Sequence, residues 1–551
     1  MRFNTVKELF NNSVTKYGDN TLYEIEGEKY TYKRVKELVD ALGTKLIDMG
    51  LKDKKIAVIG KNSMNWELAY LAISCGTGVV VPLDKSLPYV ELEASIIRSE
   101  VEAIFFEDNY EESILKVVST GKSKLKYLKV DDKILLQKDL INEGKKLLEN
   151  GNIDFVDAII EDPNKMSIFL FTSGTTAESK AVMLTNHSMC SCINCVIDTL
   201  YDINEEDIFL SFLPLHHVFE GSVGFLFPIA VGARIVFSKG VRYIAEELRE
   251  NHISVLMCVP AVYESMYKTL RKKLAKDGKL EAIQELEKKA EPLSLVERKE
   301  MFKFLHDAVD DNVKYFISGA AALEPEVEKG FRLWGFHLVQ GYGLSEFSPV
   351  VSVETHENYR LSSIGRPLIG VEAKILNPDN EGLGELIVNG GGKMLGYYNN
   401  DEANKDVFTE DGWLKTGDLA KIDEDGFIFI KGRKKSVIVL KNGKNVFPEE
   451  IEKAINLLPN VKESFVFGKP KGEDITDIKL NALIVYDEEE FKDKSEEEIL
   501  VYFKNEINKQ INPNLPNYKN ILGVNVTKEP LIKTTTGKIK RDNNLQKFIN
   551  N

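Results

Sequence analysis

The chain has 551 residues, 43% of them hydrophobic, enough to bury a large core and too many for one compact domain, so at least two domains are expected. A formal charge of −14, with lysine and arginine spread throughout, argues against a nucleic-acid partner. Five cysteines at irregular positions point to a reducing compartment and away from a disulfide scaffold.

The N-terminal stretch MRFNTVKELFNNSVTKYG has no apolar segment of signal-peptide length. The longest apolar stretches, around 69–83 and 225–237, are interrupted by glycine, proline or charge. A cytoplasmic protein is expected, with any membrane contact peripheral, at the inner face, and limited to collecting a substrate.

Residues 3–50 read as a helix, a hairpin around 21–31 and a second helix over 32–49. IAVIG at 56–60 reads as a buried strand, followed by a helix starting near Ser63, and further strands are expected at 79–83, 103–106 and 125–130. Strands alternating with helices predict a doubly wound parallel sheet. At 168–184 the chain reads IFLFTSGTTAESKAVML, which parses as strand, hydroxyl-rich loop, strand. Cys190, Cys192 and Cys195 scatter around a helix and are read as packing residues, not a metal site.

A second series of such units covers 186–353, with strands at 208–212, 233–237, 255–259, 314–318 and 337–342, so two similar αβ layers are expected. Residues 268–311 form a charged, helix-favouring insertion, read as a solvated face without chemistry. From 364 to 430, short strands between glycine-rich turns predict a small β-barrel or meander. The tail alternates helices at 448–457 and 495–511 with strands at 464–467 and 480–485, giving a separate α+β lid.

The loop at 172–180 carries the first chemistry. Thr172, Ser173, Gly174, Thr175 and Thr176 offer hydroxyls and closely spaced N–H groups to a polyanion, and Lys180 adds positive charge, a set suited to the phosphates of a nucleotide. The plain alternative is a Ser/Thr-rich turn between two strands. It is not a Walker A element, because the run ends Ser179, Lys180, Ala181. FTSGTTAESKAVML resembles the phosphate-binding signature of the adenylate-forming superfamily, which includes acyl-CoA synthetases, peptide-synthetase adenylation domains and luciferases. That signature usually has Gly, Pro and Gly where this chain has Ala177, Ser179 and Ala181. Alanine resists positive φ, so the loop is expected to be less mobile or differently shaped.

Five further segments resemble the same family, in the family's order. SFLPLHHVFEG at 211–221 places His217 where the family has a residue beside the acyl pocket, and its VFE continuation resembles long-chain acyl-CoA synthetases more than peptide synthetases. SGAAALEPEV at 318–327 implies an adenine site lined by Gly319, Ala320 and Ala321, although alone it is a tight strand-to-helix turn. QGYGLSE at 340–346 implies Tyr342 stacked on adenine beside Gly343, Ser345 in place of the family's threonine, and Glu346 holding Mg²⁺ against the phosphates. One carboxylate suffices for that metal, which takes phosphate and water oxygens as its other ligands.

WLKTGDLAKIDEDGFIFIKGRKK at 413–435 implies that Asp418 accepts both ribose hydroxyls, Arg433 completes the nucleoside contacts and Lys435 is the hinge of the lid. KNGKNVFPEEIE follows, with Gly443 bordering the CoA tunnel, and TTTGKIKR at 534–541 supplies Lys538, which in the family bridges the substrate carboxylate and the α-phosphate.

The resemblance implies an α/β fold: a large domain, 1–432, of two doubly wound subdomains plus a small β-barrel, and a mobile α+β lid, 433–551. It implies ATP-dependent activation of a medium- or long-chain fatty acid to an acyl-adenylate, then thioester formation with coenzyme A, with Lys538, Glu346 and His217 as catalytic residues and ATP, Mg²⁺ and CoA as cofactors. CoA is the expected thiol because no fused carrier domain follows. The rivals are a fatty acyl-AMP ligase or acyl-carrier-protein synthetase, an amino-acid adenylation enzyme, and a non-catalytic nucleotide sensor. No acidic residue for an amine substrate is apparent, and retention of both Glu346 and Lys538 opposes the sensor.

Overall fold

Lys54–Ile59, Gly78–Pro82 and Ala103–Phe106 are short apolar runs with most side chains buried, the pattern of parallel strands covered by helices. They pair in parallel, and Gly78–Pro82 also pairs in parallel with Met166–Phe171. There the direction reverses. Ala181–Thr185 runs antiparallel to Met166–Phe171, and Gly396–Tyr397 antiparallel to Ala181–Thr185, completing a six-stranded mixed sheet. The intervening residues 172–180 are too few for a parallel crossover, which takes a dozen or so.

A second sheet has seven strands, in the order Arg234–Phe237, Ile208–Ser211, Val255–Cys258, Tyr315–Ser318, Leu338–Gly343, Val350–Val353, Arg366–Pro367. The first five are mutually parallel, Val350–Val353 runs antiparallel to them, and Arg366–Pro367 runs antiparallel to Val350–Val353. Helix starts follow local chemistry: Thr5, Thr31 and Ser63 cap Val6–Tyr17, Tyr32–Asp48 and Met64–Ala72 through their side-chain oxygens. Cys190, Cys192 and Cys195 are all buried on the helix Asn186–Thr199, and burial pushes the Cys192 thiol up to about 12.

The computed structural model describes residues 2–126, 129–130, 133–134, 136–172, 179–355, 358–441, 444–471, 474–533 and 538–549. The chain divides into two units, one holding both large sheets over Met1–Thr172, Lys180–Ala373 and Val388–Leu414, the other comprising Lys374–Ile387 and Lys415–Asn551. No helix among the described residues is long and apolar enough to cross a membrane.

Two stretches differ from expectation, and a third takes one of its two expected forms. Among the described residues, the strand expected at 125–130 does not join the six-stranded sheet, and Lys129–Val130 pairs with Lys133–Ile134. Leu125 is buried in the core beside that sheet and Lys126 N donates to Glu102 O at 2.9 Å, but the chain then leaves the sheet's edge. The insertion is less solvated than its charge suggests. Ile283, Ala290, Phe302 and Leu305 are buried in the core, and Glu287 points inward to accept from Trp334 Nε1 at 2.7 Å and pair with Arg271 at 2.9 Å. Of the two forms expected for the glycine-rich stretch, barrel or meander, it takes the second: a four-stranded sheet paired in chain order, Glu372–Leu376, Gly384–Asn389, Leu414–Ile422, Ile428–Arg433. Four strands are too few to close around a filled interior, for which about eight are usual.

In the second unit, Val461–Lys471 and Asp474–Tyr486 pair antiparallel, and Ile521–Thr527 joins the latter in parallel. Pro448–Asn456 and Glu496–Glu506 contribute Ile451, Ile455, Ile499 and Phe503 to the core shared with this sheet.

Candidate active site

The strand Met166–Phe171 delivers Thr172 to the neck of the loop. Thr172 N and Oγ1 both donate to Lys180 O, at 2.8 and 3.2 Å, which closes the neck. Ser173, Gly174, Thr175 and Thr176 lie outside the described residues, as does Gly443. The Lys180 ammonium stands 4.3 Å from the centre of the Tyr397 ring, a cation–π contact. Tyr397 OH donates to Glu346 Oε1 at 2.8 Å, and Glu346 O accepts from Met394 N at 2.9 Å. One tyrosine thus joins the lysine of the first motif to the acid of QGYGLSE.

Ser345 and Glu346 occupy a single 3₁₀ turn, Ser345–Phe347, just beyond the strand Leu338–Gly343, and both are half-buried. Gly343 is needed there for space, since a Cβ would stand 2.2 Å from Pro349 O. Tyr342 is half-buried beside it. Gln340 reaches sideways: its Oε1 accepts from Leu323 N at 3.2 Å and its Nε2 donates to Glu328 Oε2 at 2.8 Å. This ties QGYG to the turn after SGAAA. Arg332 Nη2 donates to Glu354 Oε2 at 2.9 Å in the same buried network, and burial pushes the Glu328 carboxyl up to about 7.

Gly319 is buried against Phe219, whose ring would lie 2.9 Å from a Cβ, whereas Ala320 and Ala321 are exposed. Ala320 has φ +69°, a left-handed conformation that an alanine adopts at a cost of about 1 kcal/mol or more. The Phe219 contact links SGAAA to LPLHHVFE. There, His217 is half-buried with its ring centre 4.2 Å from that of His216. His216 Nε2 lies 3.4 Å from Asp84 Oδ1. Asn62 holds the segment, Nδ2 donating to Ser211 Oγ at 2.9 Å and Leu213 O at 2.7 Å, and Oδ1 accepting from Leu215 N at 3.2 Å. Contacts therefore link LPLHHVFE to Gly319 and the turn after it to Gln340, while Tyr397 links Glu346 to Lys180.

In the second unit Asp418 and Arg433 are directly opposed on antiparallel strands, with Arg433 Nε 3.0 Å from Asp418 Oδ1. Arg433 Nη1 also donates to Thr416 O at 3.2 Å, and Thr416 Oγ1 accepts from Asp418 N at 3.1 Å. Asp418 is buried while Arg433 is half-exposed, so the arginine holds and orients a largely shielded carboxylate. Lys435 is exposed in the turn Lys434–Ser436. Lys538 is exposed too, just ahead of Arg541, which grips Glu452 through Nη1 at 2.9 Å and Nη2 at 2.8 Å.

A family model for AMP-binding enzymes matches residues 10–398, and one for the AMP-binding enzyme C-terminal domain matches residues 435–551. The chain belongs to the AMP-binding enzyme family. Long chain acyl-CoA synthetase 4 of Arabidopsis thaliana is 30% identical over 510 residues, covering 84% of this chain and 76% of that protein. A long-chain-fatty-acid–CoA ligase of Salmonella typhimurium is 27% identical, covering 87% and 85%. A chloroplastic long-chain-fatty-acid–[acyl-carrier-protein] ligase of Arabidopsis thaliana is 27% identical, covering 88% and 76%.

Among solved structures, ATP-bound MatB from Rhodopseudomonas palustris superimposes with a TM-score of 0.75 at 23% identity, covering 98% of both chains. The o-succinylbenzoate coenzyme A synthetase of Bacillus subtilis with ATP and magnesium gives 0.75 at 19% identity, covering 97% and 98%. These show the adenylate-forming fold.

The residues of this AMP-binding enzyme suit the groups its fold implies. No cluster of three or more His, Cys, Asp or Glu side chains is placed to hold a metal among the described residues. A lone carboxylate is nonetheless the right donor for Mg²⁺ shared with phosphate, and the half-buried carboxylate of Glu346 offers hard oxygen donors of that kind. Asp418 fits a diol, because Arg433 keeps its carboxylate oriented. Tyr397, Asn62, Asp84 and Glu220 were not identified from sequence as site residues. Tyr397, Asn62 and Asp84 meet the predicted motifs through contacts far apart in the chain, and Glu220 through Ser211 nine residues away, none of which a local sequence pattern announces.

Proposed function

We propose that this protein activates a medium- or long-chain fatty acid with ATP and transfers the acyl group to coenzyme A, as an AMP-forming acid–thiol ligase. The observation that carries this reading is the meeting of Lys180 and Glu346 on Tyr397, which sets a cation and a hard oxygen donor side by side, the polarity that a metal-bound triphosphate requires. The long-chain relatives support the substrate class.

In the first half-reaction the substrate carboxylate attacks the α-phosphorus and the bond to pyrophosphate breaks. Thr172, Ser173, Gly174, Thr175, Thr176 and Lys180 hold the phosphates, Gly319, Ala320, Ala321, Tyr342, Gly343 and Ser345 the adenine side, and Asp418 and Arg433 the ribose. Lys538 reduces the repulsion between the two anions. Magnesium on Glu346 would offset charge on the leaving pyrophosphate. In the second half-reaction the thiol sulfur attacks the acyl carbon, AMP leaves, and the thiol proton passes to solvent. His217 flanks the acyl carbon, Gly443 borders the CoA path, and Lys435 is the pivot that withdraws Lys538. A soluble acyl-carrier protein in place of CoA is the second reading, favoured by the carrier-protein ligase among the relatives.

The test measures pyrophosphate and AMP release with ATP, Mg²⁺ and acids from acetate to palmitate, with and without CoA, on wild type and Lys538→Ala. The expected result is CoA-dependent AMP formation that peaks with long acids and falls by about 10²–10³-fold in the variant. Pyrophosphate release indifferent to CoA would favour the carrier-protein reading. ATP binding with no release for any acid would overturn the enzyme.

A further inference from the structure

Tyr397 is 5% exposed and its backbone is fixed from two directions. It pairs with Val182 in the six-stranded sheet, its N donates to Asn404 Oδ1 at 2.6 Å, and its O accepts from Asn404 Nδ2 at 2.9 Å. Gly396 permits that clamp, having φ +138° and a Cα from which a Cβ would stand 2.8 Å from Asn404 Oδ1. A tyrosine anchored in this way has little freedom to move its hydroxyl or its ring face, and each meets a different functional motif.

The hydroxyl donates to Glu346 Oε1 at 2.8 Å, and among the described residues Glu346 Oε2 accepts no hydrogen bond. A carboxylate with one oxygen engaged presents the other as a single donor, the mode suited to the tight octahedral shell of Mg²⁺. The ring face holds the Lys180 ammonium at 4.3 Å, directly after the loop neck closed by Thr172. Resting on the reading of Glu346 as the magnesium–phosphate ligand, we infer that Tyr397 is a positioning residue whose hydroxyl orients Glu346 for one-oxygen metal binding while its ring fixes Lys180 against the same phosphates.

Tyr397→Phe deletes the hydroxyl and keeps the ring. ATP binding to the full-length chain is measured calorimetrically in chelator and over a magnesium series, alongside the thermal midpoint. The expected outcome is unchanged metal-free ATP affinity and an unchanged midpoint, with the magnesium concentration for half of the metal-dependent gain raised about 10-fold, the usual range for loss of a ligand-orienting partner. Turnover should fall with KM for the acid unchanged. Tyr397→Leu, which also removes the ring, should weaken ATP binding in chelator as well, and Tyr397→Phe added to Glu346→Gln should cause no further loss. Wild-type metal dependence in Tyr397→Phe, with that dependence lost in Glu346→Gln, would overturn this inference alone. A wild type without magnesium-dependent ATP binding, or a Glu346→Gln variant that keeps it, would overturn the reading of Glu346 and this inference with it.

Discussion

Glu220 ends the LPLHHVFE segment wholly removed from solvent, with Ser211 Oγ donating to its Oε1 at 2.8 Å and Gly224 so close that a Cβ there would stand 2.5 Å from Oε2. Burial pushes its carboxyl up to about 8, against the opposing pull of the Ser211 hydroxyl and the Phe212 and Leu213 amides. In the unfolded chain a glutamate releases its proton near ~4.3. Between these values the folded protein binds the extra proton, so the neutral carboxyl's contribution is whole below ~4.3 and fades as pH rises through the folded value, by up to about 1.4 kcal/mol per pH unit. Glu67, buried and accepting from the Tyr23 hydroxyl, is pushed up by the same cause and shares the direction. Glu220→Gln keeps the shape without the titration. Its stability relative to wild type should therefore rise steadily between about pH 5 and pH 8 in urea melts, and a difference flat across that range would mean that Glu220 is ionised inside the fold.

At the scale of elements, the C-terminal helix Arg541–Phe548 is held to Pro448–Asn456 by Arg541, whose guanidinium meets Glu452 through both nitrogens and Glu449 at 3.2 Å. Glu452 is itself buried, so removing the arginine strands a carboxylate at a cost of about 3–5 kcal/mol unless it takes up a proton. Arg541→Met should speed amide exchange across that helix and lower the Lys538-dependent step, and adding Glu452→Gln should restore much of the protection; unchanged exchange in the single variant would remove Arg541 as the anchor. Elements like this were readable in outline because their signals are local. IAVIG announces a buried strand, Ser63 a helix start, and the order of motifs the family. Strand direction was not, since 181–185 looks the same run either way, and neither were the inward turn of Glu287 or the hold of Asn62 on LPLHH, which exist only once distant segments pack. Tyr397 is the clearest case: a tyrosine after Gly396 has no pattern until Glu346 and Lys180 arrive from elsewhere in the chain.

At the scale of the whole molecule, the two proposed half-reactions make opposite demands on Lys538, which belongs to the second unit while Lys180 and Glu346 belong to the first. Adenylation needs its charge at the reacting carboxylate, and thioester formation needs the space it would fill. A pivot satisfies both if a few backbone torsions redirect everything that follows. Lys435 has the right surroundings, since its one-turn helix Lys434–Ser436 is bounded by extended backbone on each side, Arg433 at φ −81°, ψ 134° and Val437 at φ −62°, ψ 128°. Proline at 435 would hold φ near about −65° and restrict the preceding residue, freezing one arrangement. Lys435→Pro should then lose one half-reaction by about tenfold or more while retaining the other, read as acid-dependent pyrophosphate release in a single turnover against thioester formation from supplied acyl-adenylate. Lys435→Ala, which leaves the torsions free, should keep both. Equal loss of the two in the proline variant would mean that it disturbs the site itself, and loss of neither would place the pivot elsewhere in the chain.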